Sequence, residues 1–449
     1  MQRVVVNYFY FLHTLQNLSK FEIKQVKDNS LLSDVKWFVT VFIKNIIVFL
    51  QRIGVMRRYE TSIKELMIAR NNYEQTSKEA PVFLSNWDSD FESIKMPALD
   101  FNDLTNRAIQ KYYFWTDEEN YKTNIIEYFK KTFSNDILPE SFTIASNGTS
   151  SLMVTMYALK EKGVQKVLIF TPMYFSILNL LDEMDFEVVE YNLSYENSFE
   201  IDFENLERVI QTNNIEAIII NNPIFGTGIE LKIDEIKNIA SISNKYNIWF
   251  LMDYIYGGLL WNIDNKHNYI FNYPIYEAVR LANKHIFIES ISKRIFFNGI
   301  KIALIFSQPD FMRRILRLSI FMVGSMALHQ VEITKKIYSV ENQDQIIQKI
   351  QETAEESKRK FELLKSVLKD SPCILSESMS GYFSLITIPK AEKENDLIFA
   401  QNILKRKGVL TIPHSRYLLR TPASYSFRIN LLINKNELIT GITKIKNLE

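Results

Sequence analysis

Seven short apolar runs recur between residues 142 and 306: FTIA, KVLIF, EVVEY, AIIIN, IWFLMD, HIFIES and IALIF. Helix-length stretches such as SSLMVTMYALKEKG and IDEIKNIASISNKYN separate most of them. Strands alternating with helices predict βαβ units on a mainly parallel sheet. The runs are apolar throughout rather than alternating, as expected where helices cover both faces of the sheet. After Phe311 the pattern turns helical for some 50 residues, through QKIQETAEESKRKFELLKSVLKD. Strand-like YFSLITIP, VLTIP and YSFRINLLI follow. The expected fold is α/β, with a mainly parallel sheet flanked by helices, a smaller α+β C-terminal domain and an extra helical N-terminal segment. The expected divisions are 1–60 for that extension, 61–310 for the large domain (with an arm over 61–110) and 311–449 for the connecting helices and small domain.

A chain of 449 residues is about three times one typical domain of roughly 150, which agrees with such a division. With 47% hydrophobic and 23% charged residues it is not a disordered chain. The net charge of +1 offers no bulk attraction to nucleic acid, and no reading motif is present. Cys373 stands alone, so no intramolecular disulfide forms, and five scattered histidines without a Cys cluster make a metal site unexpected.

The N-terminus reads differently. Residues 35–53, VKWFVTVFIKNIIVFLQRI, are the most apolar in the chain, with Lys36, Thr40 and Lys44 drawing a narrow polar stripe on a helix. Residues 1–58 carry nine bases and three acids, a net +6. Such helices pack against the main body or a dimer mate, or lie on a membrane or a protein partner. No small-residue cleavage site marks a signal peptide, and the expected compartment is the cytoplasm.

Five features fall at the ends of the expected strands, where open α/β sheets bind ligands. Ser146-Asn147-Gly148-Thr149-Ser150-Ser151 is a strand-to-helix turn with free N–H groups and hydroxyls suited to an anion, although Ser and Thr also simply cap helices. Tyr174 follows KVLIF and offers an aromatic face, or a core ring. Asn221-Asn222-Pro223-Ile224-Phe225-Gly226-Thr227-Gly228 is a turn-rich loop. Asp253 ends an apolar strand and needs a cation or donors there, unless it caps the next helix; Tyr256 lies three residues on. Ser290-Ile291-Ser292-Lys293 closes HIFI, where burial would make a lysine a nucleophile unless it reaches solvent.

Taken in order, this set resembles the fold type I pyridoxal-phosphate enzymes, specifically the class I/II aminotransferase family, from about Val82 to the C-terminus. The resemblance implies pyridoxal 5′-phosphate as cofactor, held on Lys293 as an internal aldimine. Asp253 would pair with the ring nitrogen, Tyr256 would donate to the phenolic oxygen and Tyr174 would stack on the ring. Gly148, Thr149, Ser150 and Ser290 would hold the phosphate, and Arg428 in YSFRIN the substrate carboxylate. Family members are usually homodimers with the active site at the interface.

Four departures accompany the match. The family's Asn-Pro-x-Asn-Pro-Thr-Gly loop has Phe225 and Gly226 at its second Asn-Pro, so the usual donor to the phenolic oxygen is missing unless Asn222 supplies it. The phosphate arginine is Lys301, which keeps charge but loses the fork. The Tyr-rich segment over 113–129 lacks the family's glycine and Leu-Arg pair. Pro413-His414-Ser415 stands for Pro-Gly-Ser, making His414 either an acid/base or carboxylate binder near the substrate, or a surface-loop residue. The expected activity is an aminotransferase acting on an α-amino acid with a keto acid acceptor. Its rivals are a lyase, cyclase, decarboxylase or oxidase on a specialised amino acid, and a non-catalytic scaffold that docks through its N-terminal helices.

Overall fold

The computed structural model describes residues 63–77, 79–87, 118–133, 137–263, 265–324, 326–389, 395–419 and 424–446. The apolar N-terminal stretch over 35–53 and the start of the 113–129 segment lie outside the described residues. The strands in chain order are β1 (Val82–Phe83), β2 (Phe142–Ala145), β3 (Lys166–Thr171), β4 (Glu187–Asn192), β5 (Ala217–Asn221), β6 (Trp249–Tyr254), β7 (His285–Glu289), β8 (Ala303–Ser307), β9 (Ile374–Leu375), β10 (Phe383–Pro389), β11 (Val409–Leu410) and β12 (Ser424–Asn430).

Among the described residues, seven strands form the main sheet in the order β2-β8-β7-β6-β5-β3-β4. Pairing from β4 to β7 is parallel, while β8 runs antiparallel to both β7 and β2. Each interior strand feeds both sides of the sheet. In β5, Ala217 and Ile219 face one apolar cluster and Ile218 and Ile220 the other. Helices Gly148–Glu161 and Pro309–Met322 supply buried residues to the first cluster, and helices Ile233–Tyr246 and Tyr273–Arg280 to the second. This two-sided burial is why period-2 alternation is absent from the sequence. Each fully buried Ile or Phe contributes roughly 1.5–3 kcal/mol. Strand β4 differs: Glu187 and Val188 are exposed, because it is the edge of the sheet.

Helix boundaries follow local chemistry. The Asn147 side chain accepts from Ser150 N at 2.8 Å and starts helix Gly148–Glu161. Helices Phe203–Asn213 and Ile233–Tyr246 end on left-handed Asn214 and Asn247. The small C-terminal sheet has the order β12-β10-β9, all antiparallel. Strand β1 pairs in parallel with β11, so residues 82–83 attach to the C-terminal part of the chain. No helix among the described residues is long and apolar enough to cross a membrane.

Candidate active site

The C-terminal ends of β3, β6 and β7 and the turn after β2 open on one cavity of about 180 Å³. Asn147, Gly148, Thr149, Tyr174, Asp253, Tyr256, Ser290, Ser292, Lys293, Asn298 and Lys301 line it, with Trp87 from the N-terminal arm. Most motifs read from the sequence therefore meet, although up to 154 residues separate them (from Asn147 to Lys301). Helix N-terminus 148 presents its N–H groups at one end of the cavity. A Cβ on Gly148 would come within 2.8 Å of Ile255 Cδ1, so this glycine is needed for the turn to lie against the strand β6 loop. Ser150 is not among the lining residues; its hydroxyl donates to Asn147 O at 2.8 Å.

Asp253 is buried, and its donors are neutral. Ile255 N donates to Oδ1 at 3.1 Å and Asn221 Nδ2 to Oδ2 at 2.7 Å. Burial outweighs both bonds, and the carboxyl is pushed up to about 7. Asn221 also accepts Tyr174 N on Oδ1 at 2.9 Å, which joins the aromatic and acidic motifs through a side chain that carries no motif signal of its own. Asn221 and Asp253 are register partners in β5 and β6, and only that pairing reveals the link. Asn222 is committed elsewhere: Oδ1 accepts Leu231 N at 2.9 Å and Nδ2 faces Met252 Sδ at 3.8 Å.

Lys293 sits on the short helix Ile291–Arg294. Its Nζ donates to Asn298 Oδ1 at 3.0 Å and lies 5.3 Å from the Tyr256 ring centroid. Ser290 Oγ and Ser292 Oγ both donate to Ile302 O, the latter at 3.0 Å, and Ile302 N returns a bond to Ser292. These bonds hold the loop carrying Lys301, whose φ is +48°. Next to Lys293, Arg294 is fully buried. Its guanidinium donates to Gly257 O at 2.8 Å, to Tyr269 O at 3.2 Å, to Ile270 O at 2.5 Å and to Glu289 Oε2 at 2.5 Å. Gly258 (φ +77°) makes room for it: a Cβ there would lie 2.6 Å from Arg294 Nε. The clamp ties the lysine turn to the turn after Tyr256, and nothing in the local sequence distinguishes Arg294 from a surface arginine.

Arg428 is fully buried between two rings, with its guanidinium carbon 4.4 Å from the Trp87 centroid and 4.3 Å from that of Phe383. Nη2 reaches Ser85 O at 3.5 Å, while Nε and Nη1 are buried without a hydrogen-bond partner. A stacked guanidinium with two unpartnered nitrogens is the kind of group that pairs with a planar carboxylate. His414 is not a surface-loop residue. It is fully buried, stacks on Phe225 at 5.8 Å and 14°, and its Nε2 bonds Phe225 O at 2.8 Å. Burial pushes its imidazole down to about 3, so the ring is neutral. A Cβ on Gly226 (φ +78°) would meet His414 Cε1 at 2.4 Å. The Phe225, Gly226 and His414 departures thus form one packed unit.

A family model, "Aminotransferase class I and II", matches residues 88–445. This chain belongs to the class I and II aminotransferase family. Among curated relatives, an aspartate aminotransferase of Pyrococcus horikoshii is 24% identical, covering 87% of this chain and 97% of the relative. Among solved structures, the Thermus thermophilus aspartate aminotransferase with maleate superposes at a TM-score of 0.70 and 17% identity, covering 85% of this chain and 95% of that one. An aromatic aminotransferase from Pyrococcus horikoshii gives 0.69 and 17%, covering 82% and 95%. Class I and II aminotransferases use pyridoxal phosphate, and the residues here fit that group. A buried carboxyl held by neutral donors suits a protonated ring nitrogen, and a helix N-terminus with Thr149 suits a phosphate.

Proposed function

We propose that this chain is a pyridoxal-phosphate-dependent aminotransferase acting on an α-amino acid. The observation that carries this reading is that Lys293 and the buried Asp253 line the same cavity as the Gly148–Thr149 helix N-terminus. Lys293 carries the cofactor and serves as the base that takes the substrate's Cα proton. Asp253 partners the ring nitrogen, Tyr174 lies against the ring and Tyr256 donates to the phenolic oxygen. Gly148, Thr149, Ser290 and Lys301 surround the phosphate. When bound, the cofactor supplies an electron sink for the carbanion formed at Cα. Arg428 orients the substrate through its α-carboxylate, with Trp87 and Phe383 excluding water from the guanidinium faces.

The test is the visible spectrum of the purified protein beside a Lys293→Ala variant. Wild type is expected to be yellow, and borohydride reduction should leave a pyridoxyl group on the peptide containing Lys293. The variant should show neither. A new amino acid formed from an added keto acid identifies transamination. Consumption of one amino acid with no keto acid requirement would replace it by elimination, decarboxylation or oxidation. A colourless protein that takes up no pyridoxal phosphate would refute the cofactor assignment.

A further inference from the structure

Glu230 has no part in the roles above, yet it joins two walls of the site. It is buried just past the 221–228 loop, where a carboxyl costs more to bury than an apolar side chain of its size. The bonds it makes therefore decide what it does there. Glu230 Oε2 accepts Tyr254 Oη at 3.0 Å, and Asn272 Nδ2 donates to the same Oη at 2.7 Å, which leaves the phenolic proton for Glu230. Glu230 Oε1 accepts the Ser380 hydroxyl. Tyr254 ends β6, between Asp253 and the turn that carries Tyr256. Ser380 leads into β10, whose first residue, Phe383, stacks on Arg428. Asp253 and Tyr256 from the first wall and Tyr382 and Phe383 from the second line one further cavity. Main-chain bonds from Ser380 N to Gly228 O at 3.0 Å and from Gly381 N to Leu259 O at 2.9 Å hold the second wall to neighbouring loops. The Glu230 side chain carries the link on to Tyr254.

We propose that Glu230 is a positioning residue for the reaction: by holding Tyr254 and Ser380 on its two oxygens, it sets the gap between the Asp253–Tyr256 wall and the Tyr382–Phe383 wall, and so the place of the amino acid. This rests on the function proposed above. Glu230 itself lines neither cavity and acts through its two partners. Reacting groups tolerate little displacement, and an error of about 1 Å can cost about a hundredfold in rate.

The experiment compares the full chain with Glu230→Leu and Glu230→Gln. It reads pyridoxal 5′-phosphate affinity, and KM and kcat with L-aspartate, L-methionine and L-tyrosine, each paired with 2-oxoglutarate. The main-chain bonds remain in both variants, so both are expected to fold. Glu230→Leu should raise KM for the amino acid by about tenfold while cofactor affinity stays as in wild type, because Lys293 and the phosphate turn lie on other elements. Glu230→Gln keeps an oxygen for Tyr254, and its amide can donate to Ser380, so it should recover most of the loss. A lower thermal midpoint with KM unchanged would overturn the proposal, because Glu230 would then serve stability alone. So would equal weakening of cofactor and amino acid, or a Glu230→Gln variant as impaired as Glu230→Leu. If wild type takes up no pyridoxal phosphate, the proposed function fails. In that case, or if none of the three amino acids turns over, amide hydrogen exchange of the ligand-free protein decides this inference. Faster exchange confined to residues 254–258 and 379–383 in Glu230→Leu, and restored in Glu230→Gln, supports it. Unchanged exchange, or faster exchange across the whole main sheet, overturns it.

Discussion

Asp253 and His414 are buried ionisable groups whose neutral forms are favoured, and their effects on stability run in opposite directions. Asp253 is pushed up to about 7. Between about pH 4 and 7 the folded protein therefore holds a proton that the unfolded chain has lost, and stability falls as pH rises, by at most about 1.4 kcal/mol per pH unit. His414 is pushed down to about 3. Between about pH 3 and 6.5 the unfolded chain holds the extra proton, and stability falls as pH drops, with a slope of the same size and opposite sign. The two offset each other from about pH 4 to 6.5. In the ligand-free protein, Asp253→Asn is expected to make the thermal midpoint fall more steeply with acid over that range. His414→Gln, which can still donate to Phe225 O, is expected to make it fall with rising pH. Parallel pH profiles for wild type and both variants would contradict this account. A cationic ring beside Asp253 should abolish the Asp253 slope, because the carboxylate then has its partner.

Two loops owe their shape to side chains from distant elements. In the 221–228 loop, Gly226 is left-handed and faces His414. Gly226→Ala should destabilise the protein by about 2–4 kcal/mol, from left-handed strain and the clash together. In a His414→Ala background the clash with the imidazole is gone, leaving only Arg428 Cβ at 3.3 Å, and the effect of Gly226→Ala should shrink to about 1–2 kcal/mol. Denaturant titration of the four proteins reads this coupling, and strict additivity would refute it. Around Lys293, removal of one member of the buried Glu289–Arg294 pair leaves the other uncompensated. Arg294→Met should lower stability by about 3–5 kcal/mol, and adding Glu289→Met should recover much of it. The positions of Lys293, Asp253 and Tyr256 were legible as strand-end residues because strand ends are marked by where an apolar run stops. Arg294, Asn221 and Asn298 were not, since their importance comes from carbonyls, amides and cavities that other parts of the chain supply.

Across the whole molecule, the arm before the matched family region completes the site. Ser85 Oγ donates to Arg428 O at 2.8 Å and accepts Ile412 N at 3.0 Å, while Trp87 covers one face of the Arg428 guanidinium. Residues 59–449 form one compact unit. A chain starting at Tyr59 is therefore expected to stay folded and to take up pyridoxal phosphate as the full chain does. A chain starting at residue 88 should lose Ser85, Trp87 and β1, and with them substrate carboxylate affinity. Cofactor uptake and the substrate concentration dependence of turnover in the two truncations check this, and failure of the first would make residues 1–58 part of the fold. The order of apolar runs was enough to predict a parallel sheet with helices on both faces, because hydrophobic burial is written locally in each strand. The same runs placed the lysine, the aspartate and the phosphate turn at one edge, since parallel strands end on the same side. Tertiary structure alone decided that His414 is buried and neutral, that Asn221 holds Asp253, and that Arg428 lies between two rings. Those properties depend on the dielectric and donors that a group meets after folding, and the partners come from as far as 343 residues away.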